Sequence, residues 1–338
     1  MNKTTVDARS DIAAVLLTAA GLVLAIVLHL LPALFAGLLV NSLVHVLAPR
    51  LFGPNADPAH ARRLVVVLLT LLVLALAATL IGGVVAFYRG DAVHVPHLLQ
   101  KMADILDGMR ATVPSWLQEI LPADVDALKG ELSAWLREHA AELRKAGGEV
   151  GRGLAYALIG MVIGALVAVR EVAQVRAPGS LARAFTRCAT LVQDSFRRVV
   201  LAQVRISALN TLLTAIYLAG VLPAFGVHLP LTKTMIALTF VVGLLPIIGN
   251  LISNCVIVII SVSHSLPIAG ASLVFLIIVH KLEYFINARI VGSRINAAAW
   301  ELLVAMLVME AIFGLPGVVA APVFYAYAKA ELVARKLV

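Results

Sequence analysis

Three stretches of this chain run uncharged for longer than a membrane is thick. Leu64 to Tyr88 holds 25 residues without a charge, Ile206 to Thr232 holds 27, and Thr234 to Val279 holds 46 with His264 as its one histidine. A helix needs about 20 mostly apolar residues to cross the ~30 Å hydrocarbon layer. In that layer every backbone polar group must be bonded within the protein, which a helix does for itself. The runs therefore predict several membrane-crossing helices and confine the chain to an all-α, polytopic fold.

Composition agrees. Hydrophobic residues make up 61% and charged residues 14% of the chain, against about 45–50% and about 25% in soluble proteins. A soluble enzyme, a secreted disulfide scaffold, a disordered chain and a nucleic-acid reader are all poor fits. Cys188 and Cys255 form no CxxC pair, so neither a structural disulfide nor zinc chemistry is expected. Met1 to Asp11 carries both signs of charge, and no small-residue cleavage signal follows it. It reads as the approach to a retained first helix.

From Ile12 to Pro49 nothing is charged, but Pro32 interrupts the middle; two short helices or one broken helix fit equally well. With Leu64 to Tyr88 this makes an N-terminal transmembrane part, residues 1–88. Residues 89–150 then hold ten of the nineteen acids and seven basic residues, with apolar positions such as Leu98, Met102, Ile105 and Leu106 at helical spacing. That is the pattern of amphipathic helices outside the bilayer, a small extramembrane module. The rest, 151–338, reads as a transmembrane core. Its first span is Leu154 to Val169, and a basic amphipathic helix follows near 180–198. Ile206 to Leu222, the segment 235–264 broken at Pro246 and Gly249, Ile268 to Ile286, and the tail 302–327 broken at Gly314, Pro316 and Gly317 complete it. The total is about eight spans, some of them broken or re-entrant.

With the N-terminus inside, 16 of the 27 basic residues fall on cytoplasmic parts, among them Arg50, Arg62, Arg63 and the arginines from 170 to 198. The positive-inside rule therefore accounts for the net charge of +8 without a nucleic-acid partner. Both termini are expected in the cytoplasm and membrane lipids are the expected surroundings.

Two constellations point to a pathway. The break at Pro246 and Gly249 falls in an over-long apolar segment, and Asn250 and Asn254 share one helical face just after it. Freed backbone groups are tolerated at membrane depth only against protein or a water-filled cavity, and transporters place such breaks at substrate sites. A proline turn between two helices is the plainer reading. Further on, His280 and Glu283 share a face near a helix end, with Asn287 one turn later. They read either as a functional cluster or as an interfacial cap. Glu310 is isolated from any basic residue at helical spacing, which makes it a proton- or cation-handling group or a buried protonated carboxyl. Glu301 suits the start of its helix, where negative charge favours the dipole. His29 and His45 read as packed polar residues.

Enzyme signatures are absent: no HExxH, no GxSxG, no GxxxxGK[ST] and no aspartate-rich metal motif occurs. Neither catalysis, nor a metal, nor a cofactor is expected. The Gly/Pro breaks at 246–249 and 314–317 correspond loosely, a hint of paired discontinuous helices.

The order of parts, with Pro246 and Gly249, Glu283 followed by Gly292, Phe313-Gly314-Leu-Pro316-Gly317, and Pro322, resembles the autoinducer-2 exporter-like family, also called PerM-like permeases, over essentially the whole chain. Asn250 stands where that family usually has a second proline, and Asn287-Ala288-Arg289 replaces a segment that usually carries one. The resemblance implies a bacterial inner-membrane protein of about eight spans, a homo-oligomer, and a role in transport. Autoinducer-2 export and exchange of sodium or lithium for protons are the activities linked to members. The expectation is thus a secondary transporter or exporter of a small solute, coupled to protons or sodium or running downhill. A partner-binding membrane scaffold and a passive oligomeric pore are the alternatives.

Overall fold

The computed structural model describes residues 3–53, 56–89, 130, 134–135, 137–170, 179–244, 248–262, 264–265, 267–279, 281 and 298–337. Among them there is no strand. Helices α1 (Lys3–Val27), α2 (Leu31–Phe52), α3 (Pro58–Arg89), α4 (Ala140–Arg170) and α5 (Ser180–Ile216) come first. Then follow α6 (Thr232–Gly243), α7 (Ile248–Val262), α8 (Pro267–Val279), α9 (Ala299–Phe313) and α10 (Leu315–Ala334). Among the described residues, six stretches are long and apolar enough to cross a membrane: α2, α4, α10, parts of α1 and α3, and α5 with its extension to Ala224. The protein is an all-α polytopic membrane protein.

Local chemistry sets the boundaries. The N-terminal apolar stretch is two helices, because His29 adopts a left-handed φ of 57° between them and Pro32 sits in the first turn of α2. A proline's missing N–H costs nothing at that position. Gly53, at φ 75°, closes α2. Asp57 then caps α3, its Oδ1 accepting from the Ala59 N–H at 3.0 Å, with Pro58 as the first helical residue. Hydrogen bonds from His60 and from that N–H hold the Asp57 carboxyl below its ordinary pKa. Helix α4 begins at Ala140, ahead of the apolar run that starts at Leu154. Helix α5 joins the basic amphipathic stretch and the span after it into one helix of 37 residues, roughly 55 Å long at 1.5 Å per residue.

Two compact units share the chain: residues 1–75, 148–202 and 288–338 in the first, 76–147 and 203–287 in the second. In the first unit α1 and α2 form a hairpin, with Ile26 packed near Leu31 and Leu22 near Leu34 and Leu38. Glycines bring α4 against α2. A Cβ on Gly160 would lie 2.0 Å from the Ala33 carbonyl oxygen, and one on Gly164 would lie 2.2 Å from that of Gly37. The rising order of the pairs sets α2 and α4 in the same direction. This is the small-xxx-small packing that lets transmembrane backbones approach closely.

Where α1 and α5 begin and α10 ends, the first unit is tied by hydrogen bonds. Ser10 and Ser180 share one at 3.0 Å, and the Arg335 Nη2 donates to the Asp11 carbonyl at 3.3 Å. The buried Glu331 accepts from Arg187 at 2.9 Å and from Arg335 at 2.7 Å. Away from this cluster the outward faces are apolar; Leu71, Leu74, Leu154, Val162 and Leu166 are all exposed, a surface suited to lipid rather than water. The second unit packs around Tyr217, Leu218, Leu222, Met235, Ile257 and Leu276. There α5 passes into a π-helical turn at Tyr217–Val221, which sets the Tyr217 ring flat on Phe275, centroids 3.9 Å apart.

Candidate functional site: the broken hairpin

Pro246 itself lies outside the described residues, but the helices on either side of it, α6 and α7, are a tight pair. They have 12 and 15 residues, or roughly 18 and 22 Å. Neither reaches across ~30 Å upright, so the pair has the dimensions of a re-entrant hairpin. Gly249 makes the close turn: a Cβ there would fall 2.0 Å from the Val242 carbonyl oxygen and 2.9 Å from the Gly243 Cα. No other residue fits this position without moving the backbone.

The last four carbonyls of a helix lack an intrahelical donor, so those at the end of α6 need other partners. Helix α5 supplies them. The Gln203 Nε2 donates to the Gly243 carbonyl at 2.8 Å, and the Ser207 hydroxyl to that of Phe240 at 2.6 Å. The Asn210 Nδ2 donates to the Asn250 Oδ1 at 2.9 Å. The spacing of 203, 207 and 210 puts all three on one face of α5. In the sequence this ladder is hidden, because Ser207 and Asn210 fall within an uncharged, mostly apolar run. Gln203, just ahead of that run, and Ser207 and Asn210 inside it recur four and three apart, and that is the signal that would have found it.

Asn250 and Asn254, expected to share a face, do so. Both line a cavity of about 700 Å³, with Cys255, Leu276 and Lys281 also on its wall. Asn250 is also held to Asn210, whereas Asn254 is half-buried at the cavity. His280, Glu283 and Asn287 lie outside the described residues, as does Gly292.

The second Gly/Pro break is a hairpin as well. Gly314, at φ 65°, ends α9 and starts α10, and Pro316 lies in the first turn of α10. Gly317 would place a Cβ 2.0 Å from the Met309 carbonyl oxygen. Pro322 is buried inside α10. Glu310, in the last turn of α9, is exposed, with no side-chain hydrogen bond or ion pair among the described residues. Glu301 does more than begin its helix: it accepts from the Tyr325 hydroxyl and the Lys329 ammonium, each at 2.5 Å. His45 is half-buried, its Nδ1 2.8 Å from the Asn41 carbonyl oxygen, and it borders a second cavity in the first unit. No group of three or more His, Cys, Asp or Glu gathers as a metal site among the described residues.

Long apolar helices with lipid-suited outer faces, and a short hairpin with its carbonyls held by a neighbouring helix, define a multi-pass helical membrane protein. The particular family follows from the sequence profile described as AI-2E family transporter, which matches residues 12–334. The chain belongs to that family, a family of membrane transporters, as its resemblance to the autoinducer-2 exporter-like proteins implied. No curated protein and no solved structure gives a match to it.

Proposed function

We propose that this chain is a secondary transporter of a small polar solute, driven by a proton or sodium gradient or running downhill. It works as a homo-oligomer in a bacterial inner membrane, with both termini cytoplasmic. The observation that carries the reading is the α7 face on which Asn250 and Asn254 line the cavity of about 700 Å³. Amide groups held at a break in an otherwise apolar hairpin give a solute hydrogen-bonding partners where lipid gives none. Asn254 is the solute-facing amide, Asn250 is held in place by Asn210, and Glu310 handles the proton or cation. The sequence carries no nucleotide-binding loop, in keeping with gradient-driven movement.

The orientation rests on charge. Arg50 and Arg170 lie in the last turns of α2 and α4, and Arg62 at the start of α3 donates to the Ala168 carbonyl at 3.2 Å. These cations therefore collect at one end of the first unit, the end to which the α1–α2 hairpin returns, as the positive-inside rule requires of a cytoplasmic face.

The test is flux into proteoliposomes that hold the full chain and a pH-sensitive dye, challenged in turn with sodium, lithium and a small polyol such as autoinducer-2. Expected are protein-dependent flux, its loss in Asn254→Leu, and loss of the proton signal in Glu310→Gln. Undiminished flux in Asn254→Leu would remove the cavity from the mechanism. Silence toward all three challenges, in vesicles shown to hold folded protein, would overturn the transport reading in favour of a scaffold.

A further inference from the structure

A second cavity, of about 720 Å³, lies wholly within the first unit, among α1, α2, α4 and α5. Gly37, Gly160 and Gly164, where α2 and α4 pack closely, form part of its wall. The opposite wall is polar. Helix α5 presents Thr186, Thr190, Gln193, Asp194 and Arg197 to it, positions 4, 7, 8 and 11 residues beyond the first and so on one face. Helix α2 adds Asn41, Ser42 and His45.

This polar wall is fixed at one point and unspent at others. The Gln193 Nε2 donates to the Leu38 carbonyl at 2.9 Å and also to the Ser42 hydroxyl, which pins α5 to α2. Next to that anchor, the Asn41 Oδ1 is buried and has no hydrogen-bond partner among the described residues. A buried acceptor without a donor is uncommon in a native fold, and it marks this part of the α2 face as polar rather than apolar. Asp194 and Arg197 pair only loosely, at 3.6 Å, with side chains 40% and 49% exposed. A charge-assisted bond closes to about 2.7–2.9 Å, so both groups keep most of their bonding capacity for something in the cavity.

From these features we infer a binding site for a small zwitterion, a molecule with an ammonium group and a carboxylate, sulfonate or phosphate a few bonds apart. The carboxylate of Asp194 accepts from the ammonium. The Arg197 guanidinium donates to the anionic group, and the glycine-lined wall admits a short apolar side chain. A purely cationic ligand meets Arg197 as a like charge, and a purely anionic one meets Asp194, so only a molecule with both charges satisfies both residues. This inference does not rest on the transport reading, which concerns the Asn254 cavity in the other unit.

The test is calorimetric titration of the purified full chain with the proteinogenic amino acids, taurine and phosphoethanolamine. Ethanolamine, lactate and glycerol serve as the cation-only, anion-only and neutral controls. At least one zwitterion is expected to saturate, with each control roughly tenfold or more weaker, as for loss of one charged hydrogen bond. Asp194→Asn and Arg197→Gln are each expected to weaken that zwitterion by a similar factor. An exposed pair of this kind adds little to stability, so both variants are expected to melt with the parent protein. Silence from the whole panel overturns the inference. So does a control that binds as well as the best zwitterion, a comparison made on the unaltered chain and independent of any variant's folding. Unchanged affinity in both variants overturns it as well, by placing the ligand elsewhere.

Discussion

The two hairpins, α6–α7 and α9–α10, are built on one device and finished in two ways. Each turns through a Gly/Pro segment, and each sets a glycine of the second helix so near a carbonyl of the first that a Cβ would lie 2.0 Å away, Gly249 at Val242 and Gly317 at Met309. They differ in what holds them. The first is held by neutral side chains from α5 that bond its backbone, and its amides line a cavity. The second is held across its own two helices by charge, Glu301 to Lys329 and Tyr325. Its second helix is further fixed by the ion pairs of Glu331. A broken helix is therefore not a binding site by itself; what the neighbours leave unfilled decides that.

The largest expected effect tests the shared device. Gly249→Ala and Gly317→Ala each force a Cβ into backbone and should destabilise the protein about equally, by about 3 kcal/mol or more, read as loss of monodisperse protein on heated size-exclusion runs. A well-folded Gly249→Ala beside a collapsed Gly317→Ala would break the comparison. Next in size are Gln203→Ala and Ser207→Ala, which strand carbonyls of the first hairpin alone. Each should cost about 1–2 kcal/mol, seen as a lower melting temperature. Lys329→Met and Glu301→Gln should each lower the melting temperature, with the double variant falling by less than the sum because the two share one interaction. The smallest stability effect belongs to Asn254→Leu, expected within about 0.5 kcal/mol of the parent even though its flux is lost. Marked destabilisation there would make Asn254 a structural residue and blur the contrast.

Much of the fold was legible in sequence because long apolar runs and prolines act locally. Pro32 and Pro316 mark helix boundaries through a missing N–H, and Leu64 to Tyr88 could hardly be anything but a helix. What stayed hidden depends on contacts remote in sequence. The arginines at 183, 187, 197 and 198 suggested a separate surface helix, yet backbone continuity through Ile216 does not depend on which side chains meet lipid. The partners of Glu301 lie 24 and 28 residues away across a turn, beyond any helical spacing. Gly160 and Gly164 did carry a readable signal in their four-residue interval, but what they pack against was not written beside them. Of the candidate site, the amides at 250 and 254 were visible, while the α5 ladder that fixes their hairpin was not.

The knot around Glu331 also governs how the chain is made. Its carboxylate meets Arg187 across 144 residues of sequence, and Arg335 reaches Asp11 across 324. At a synthesis rate of about 5–20 residues per second, Arg187 precedes its partner by roughly 7–30 s. During that interval the first two helices and the start of α5 are present without the helix that closes them. Contacts so distant in sequence form late, because loop closure comes before their reward. The nascent protein therefore passes through a stage in which α1 and the start of α5 are made while α10, which joins them through Glu331, is not.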